Sequence, residues 1–167
     1  YYGFSREGLW PLCHMAHVRP VFRTSDWDQY VAVNQRFADA VVAESHTDDP
    51  VVLVQDYHFA LLPRMVRDRL PDATIITFWH IPWPNSERFG ICPWRDEILG
   101  GLLGSSILGF HTQFDCNSFI DSVERFLETR IDRAVSDVKD AISKIKVGDV
   151  IIGTTMPLNV TQIVPVK

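Results

Sequence analysis

The stretch Ala73 to Arg95, ATIITFWHIPWPNSERFGICPWR, constrains the fold more than any other. From Ala73 to Trp79 it is uncharged and mostly β-branched or aromatic, which predicts a strand buried on both faces. Pro82, Pro84, Gly90 and Pro93 then forbid its continuation, because a proline also pushes the residue before it towards extended backbone. His80 is thereby the first residue off a buried strand. In open α/β sheets ligands collect beyond the carboxyl ends of the strands, where loops carry polar groups that the strands cannot. A histidine there, followed by two tryptophan-containing proline turns, has the composition of a site wall.

The same unit recurs on either side. Val51 to Val54 is a second apolar strand, followed by Gln55-Asp56-Tyr57-His58 and a helix carrying Leu61, Leu62, Met65, Val66 and Leu70. Ile107 to Phe110 is a third. His111 follows it, and Thr112 with Asp115 forms a capping pattern before a helix with Phe119, Val123, Phe126 and Leu127 on its apolar side. Between the second and third units, Trp94 to Leu103 reads as a helix with Asp96 and Glu97 in its first turn and a glycine-weakened end at Gly100, Gly101 and Gly104. Strands alternating with helices of this length imply parallel pairing and right-handed crossovers, hence a Rossmann-like α/β sheet with helices on both faces.

Around this centre the chain is plainer. Tyr1 to Trp10 mixes aromatic rings with Gly3, Gly8 and Arg6 ahead of Pro11, and is expected on a loop or loose turn. Its rings and arginine suit a sugar or phosphate, or else a hydrophobic plug at a domain edge. Ser25 with Asp28 predicts a capped helix whose core stripe is Tyr30, Val33, Phe37 and Val41, fading near Ser45. Asp132 to Lys144 reads as a further helix, with strands expected at Val150 to Thr154 and Val160 to Val166.

At 167 residues and 46% hydrophobic content, the chain can bury one sizeable core. Its formal charge of -5 is spread rather than blocked, which recommends neither nucleic acid nor an anionic membrane as a partner. Cys13, Cys92 and Cys116 are widely spaced and form no C-x-x-C, which fits a reducing, cytoplasmic setting. No apolar run reaches membrane-spanning length, and no signal peptide is expected. The chain begins at Tyr1 without a methionine and reads as a fragment.

Of the chemistries these residues could carry, several fail on spacing. The six histidines include neither H-E-x-x-H nor a cysteine-histidine zinc pattern, so no metal or other cofactor is expected. G-x-S-x-G is absent, which removes the elbow of a serine hydrolase. Gly100-Gly101-x-x-Gly104 lies late in a helix, not between strand and helix, so it is no dinucleotide fingerprint. What remains is a polar pocket offering Asp56, His80, Tyr1, Trp10 and Arg6. An aspartate at Asp56 can accept hydrogen bonds from a substrate hydroxyl or cap the helix that follows it. Rings for a sugar face, hydroxyl acceptors and a cation suit a carbohydrate.

In this order and at these separations, YYGFSREGLWP, QDYHFALLP, HIPWPNSERF and LGFHTQFDCNSF resemble the trehalose-6-phosphate synthase family of retaining glycosyltransferases. The resemblance covers Tyr1 to roughly Asp132. It implies a GT-B architecture, two Rossmann-like domains with the active site between them, of which residues 1–132 would supply most of the acceptor side, incomplete at its amino end. Residues 133–167 would be a divergent tail that does not match the family. The implied reaction moves glucose from a nucleotide sugar, UDP-glucose, to glucose 6-phosphate, giving trehalose 6-phosphate.

By the motif match, Tyr1 and Trp10 hold the acceptor and its phosphate, Asp56 contacts acceptor hydroxyls, and His80 lies near the reacting sugar. Asp56 and His80 are the catalytic candidates. Gln55 stands where the family frequently has histidine. Related glucosylglycerol-phosphate synthases share much of the pattern, which keeps glycerol 3-phosphate open as acceptor, and a noncatalytic sugar-phosphate-binding module is a further alternative. The resemblance places the donor-binding loop before Tyr1 and most donor contacts in a second domain, so residues 1–167 alone are expected to be inactive. An exposed patch is expected at Trp79, Trp83 and Trp94, with self-association as a homo-oligomer.

Overall fold

The computed structural model describes residues 1–127, 130–132, 150–154 and 160–164. Within them, strands β1 (Val51–Gln55), β2 (Thr74–Phe78), β3 (Ile107–Phe110), β4 (Arg130–Asp132), β5 (Val150–Thr154) and β6 (Val160–Val164) form one sheet in the order β1-β2-β3-β5-β6-β4. The first four in that order run parallel, and β6 and β4 close the sheet antiparallel. Helices α1 (Trp10–Cys13), α2 (Thr24–Glu44), α3 (Leu62–Arg67), α4 (Ser86–Phe89), α5 (Arg95–Leu102) and α6 (Gln113–Phe126) accompany it. This is the Rossmann-like α/β sheet that alternating strands and helices require.

Register sets Val54, Thr77, Leu108 and Ile152 side by side across the parallel strands. All four are buried. Leu62 and Val66 of α3 and Ala38 of α2 pack there against Val54 and Ile75, while Ile98, Leu99 and Leu102 of α5 and Phe119 and Val123 of α6 join Leu108, Phe110 and Ile152. On the other face of β1, Val51 and Leu53 are 69% and 68% exposed. β2 follows the same rule: Ile75 and Thr77 are buried, but Thr74 is exposed and Ile76 and Phe78 are only partly covered. The prediction that this strand is buried on both faces is therefore corrected to one face.

Three local expectations also change. Tyr1 to Trp10 is not loop beyond its first residues: Phe4–Leu9 forms a wide helical turn that runs straight into α1. Phe4, Leu9, Leu12 and Cys13 recur at helical intervals and are all buried, and Pro11 sits in the first turn of α1, where a missing N–H costs nothing. Helix α2 starts one residue before the expected cap. Arg23 flanks it in extended conformation, pinned by Glu7 and Asp26 at 2.7 and 2.9 Å, and Ser25 lies inside the first turn. The stripe that α2 buries is Trp27, Tyr30, Asn34 and Ala38. Val33 and Phe37 are 40% and 49% exposed instead, and Phe37 packs on Phe59 with ring centroids 4.6 Å apart.

Asp132 ends β4 and does not open a helix; the rest of that expected helix, residues 133–149, lies outside the described residues. The strand at Val150–Thr154 is as expected and β6 ends at Val164. Both belong to the same sheet as β1 to β3. The glycines of α5 do more than weaken its end. A β-carbon at Gly101 would stand 2.3 Å from the Ala60 carbonyl oxygen, and one at Gly104 2.3 Å from the Arg64 backbone nitrogen. Glycine here lets α5 touch the backbone of α3 and of the loop before it.

Candidate active site

Strands β1 and β2 lie side by side and parallel, so the residues that leave their carboxyl ends meet although the chain separates them. Asp56 follows β1 and His80 follows β2 by two residues. The Asp56 Oδ1 accepts the backbone N–H of Tyr57 at 2.8 Å and that of His80 at 3.4 Å. The carboxylate thus caps the short turn Tyr57–Phe59 and ties the two strand ends together. Oδ2 takes part in neither bond. Asp56 has φ 72° and ψ 173°, a backbone state that L residues other than glycine rarely adopt, and such outliers persist where the surroundings force them.

The His80 side chain is exposed. Its Nε2 lies 2.7 Å from the Oε1 of Gln55, and its ring meets Phe78 edge-on at 4.7 Å and His111 at 5.6 Å between centroids. His111 is the first residue after β3 and also packs edge-on against Phe78, at 4.9 Å. Three consecutive parallel strands therefore each deliver a polar side chain to one rim: Asp56, His80 and His111. Sequence reading singled out the first two. The rule that selected His80, a histidine just beyond a strand, applies equally to His111.

Tyr1 and Trp10 come together as well, with Arg6 and Tyr57, around a cavity of about 340 Å³. The Arg6 guanidinium stands 5.7 Å from the centre of the Tyr2 ring, and Trp10, 42% exposed, stacks on His14 at 4.1 Å. Asp56 and His80 do not line this cavity. The two groups meet through the turn after Asp56: Tyr57 is a cavity wall, and the His58 ring packs against Tyr57 at 4.1 Å and Tyr1 at 4.9 Å. Burial pushes the Tyr57 phenol up to about 12, with Tyr1 and Asp56 adding to the shift, so it stays a neutral donor. Burial holds His58 below its ordinary value, against the pull of Asp56. Its Nδ1 is buried without a hydrogen-bond partner among the described residues.

The turn itself is positioned from α2. The Tyr30 hydroxyl donates to the Tyr57 carbonyl at 2.7 Å and accepts from Ala60 N–H at 2.9 Å. Asn34, fully buried, donates to the Tyr30 and His58 carbonyls and accepts from the N–H groups of Leu61 and Leu62. The sequence places Tyr30 on the core stripe of α2 for packing alone, and gives no signal for Asn34 or for the hydrogen bonds that both make.

The proline turns after His80 are core rather than site wall. Trp79 and Trp83 are 0% and 1% exposed and Trp94 is partly buried, which overturns the expected exposed patch and the ground for self-association there. Trp83 donates from its backbone N–H to Asp115 Oδ1 at 2.9 Å and from Nε1 to Ser122 Oγ at 3.0 Å. Asp115 is in turn held by Thr112, the expected cap of α6. Cys13, Cys92 and Cys116 are free and buried, and burial pushes the last two thiols up to about 12 and about 11. None of the described helices is long and apolar enough to cross a membrane.

Comparison with known proteins places this geometry. Residues 1–164 match the model of glycosyltransferase family 20. A trehalose-6-phosphate synthase of Mycobacterium sp. (strain KMS) is 41% identical over 148 residues, 89% of this chain and 30% of that protein. Among solved structures, an alpha,alpha-trehalose-phosphate synthase (UDP-forming) from Burkholderia xenovorans in complex with glucose-6-phosphate superposes with a TM-score of 0.75 at 29% identity, over 82% of this chain and 30% of that one. A structure described as trehalose-6-phosphate from E. coli bound with UDP-2-fluoro glucose gives 0.74 at 32% identity, over 80% of this chain and 29% of that one. The chain thus spans about 30% of the length of the relatives it matches.

Proposed function

The chain belongs to glycosyltransferase family 20, and from that premise we propose that the protein containing it transfers glucose from UDP-glucose to glucose 6-phosphate with retention, making trehalose 6-phosphate. The observation that carries the reading is the hydrogen bond that His80 N–H donates to the Asp56 carboxylate across adjacent strand ends, next to the cavity walled by Tyr1, Arg6, Trp10 and Tyr57. The cavity suits a sugar phosphate: aromatic walls lie against the apolar face of a hexose, and Arg6 supplies charge-assisted bonds to phosphate. Asp56 has Oδ2 left to accept a sugar hydroxyl, and His80 offers a ring at the rim of the same sheet. The work assigned to these residues is to hold two reactants in line, a contribution of roughly 7–11 kcal/mol when positioning is complete.

In this reading residues 1–132 form the acceptor-side unit and residues 133–167 contribute strands that complete its sheet. The buried free thiols fit a reducing compartment, for which we take the cytoplasm. Product analysis of the protein with UDP-glucose and either glucose 6-phosphate or glycerol 3-phosphate tests the proposal. Trehalose 6-phosphate from the first pair supports it. Transfer only to glycerol 3-phosphate, or binding of sugar phosphate without turnover, replaces it with another acceptor or with a binding module.

A further inference from the structure

Gln55 is the last residue of β1, in register with Phe78 of β2. Side chains alternate along a strand, so Gln55, Phe78 and the residue two beyond Phe78, His80, fall on one side. The Gln55 Oε1 consequently meets the His80 Nε2 at 2.7 Å, while the ring is braced edge-on by Phe78 at 4.7 Å. An amide oxygen has lone pairs and no proton, so the nitrogen facing it must donate. A neutral imidazole carries one N–H; with Nε2 protonated, Nδ1 is left as an acceptor. Among the described residues Nδ1 has no hydrogen-bond partner. Asp56 engages the backbone N–H of His80 rather than the ring, and His111, at 5.6 Å between centroids, meets it as a ring contact.

We propose that Gln55 is a positioning residue that locks His80 in the tautomer protonated on Nε2, leaving the Nδ1 lone pair free for a hydrogen-bond donor on the ligand. Neutral His80 at this position then selects a sugar hydroxyl, which can donate, over a fully ionised phosphate oxygen, which cannot. The functional half of the inference rests on the reading of His80 as facing substrate. The tautomer does not.

The test uses the protein carrying these residues, labelled with 15N-histidine, at a pH where His80 is neutral. Long-range proton-nitrogen correlation reads the tautomer, and the His80→Gln variant identifies the resonance. Expected is a pyrrole-type Nε2 and a pyridine-type Nδ1. Gln55→Leu removes the acceptor and should mix the tautomers. Gln55→Glu keeps an acceptor and should restore the Nε2-protonated form. Transfer to glucose 6-phosphate should follow, with kcat/KM down about tenfold in Gln55→Leu, the worth of one net hydrogen bond, and recovered in part in Gln55→Glu. A proton found on Nδ1, or a Gln55→Leu spectrum identical to the parent's, overturns the assignment. If Gln55→Leu fails to fold, the parent and Gln55→Glu spectra still decide it. The expected tautomer in a protein that transfers no glucose would uphold the assignment and sink the activity reading instead.

Discussion

The loops after β1 and β2 leave the same edge of one sheet, and each presents a polar residue, yet they are anchored in different proportions by burial and by hydrogen bonds. The β2 loop is held by apolar burial: Trp79, Ile81 and Trp83 are sunk in the core, with Asp115 and Ser122 satisfying Trp83. The β1 loop buries Tyr57, Ala60 and Leu61 in the same core, but its backbone is also held by polar side chains reaching up from α2, Tyr30 and Asn34. Apolar anchoring resists displacement through area; polar anchoring fixes direction, because each bond has a geometry to keep. The Asp56 carboxylate joins the two loops, so an error in either would reach the other.

The largest effect should come from the apolar anchor. We expect Trp83→Ala to cost about 4 kcal/mol of stability, as large core truncations do, measured by denaturant unfolding. Loss of less than about 1 kcal/mol would mean the β2 loop is not held by burial at all. Asn34→Ala comes next, at roughly 3 kcal/mol, since it strands the backbone donors of Leu61 and Leu62 and takes a partner from the His58 carbonyl inside the protein. If Asn34→Ala unfolds like an exposed substitution, the polar anchor is ornamental and the contrast fails.

Asp56→Ala sharpens the same contrast from the site side. Its stability should fall by only about 1 kcal/mol, since the carboxylate is part-exposed, while glucose transfer in the protein carrying this chain drops roughly 100-fold through loss of alignment. Equal losses of stability and turnover would reduce Asp56 to a cap. The smallest effect concerns His58, whose folded-state affinity for a proton is lowered by burial. Because the unfolded chain takes up that proton first, stability should be unaffected well above the ordinary value of 6.5 and decline as pH falls through it. Comparing unfolding at about pH 8 and about pH 5 in the parent and in His58→Phe isolates the contribution, and an unchanged slope in His58→Phe would assign the acid sensitivity elsewhere.

Period and punctuation made the strands and their order of polar ends legible: β1, β2, β3 and β5 lie where apolar runs end in turn residues, and Asp56 with His80 follows from parallel neighbours. The rest depended on tertiary facts. Trp79 and Trp83 share the sequence character of a binding wall, and only tertiary packing makes them core: Trp83 lies against Phe89 of α4 and Phe119 of α6, and Trp79 against Trp83 and Tyr57. On α2, Val33 and Phe37 outscore Asn34 for hydrophobicity, yet Asn34 is buried because the β1 turn brings unpaired backbone groups to it. In the first thirteen residues, Pro11 and two glycines suggest a loop, whereas the recurrence of Phe4, Leu9, Leu12 and Cys13 carries the helical signal.

The close approach of α5 at Gly101 has a thermodynamic sequel. With Asn34 on one side and the backbone of α5 on the other, the segment from Asp56 to Leu61 surrenders its conformational entropy when the chain folds, not when a ligand arrives. Association at Asp56 should then proceed at a rate set by diffusion and orientation, with no ordering step to retard it. A side chain at position 101 would reverse that order of events, pushing the segment off its backing and making each binding encounter wait for it to settle.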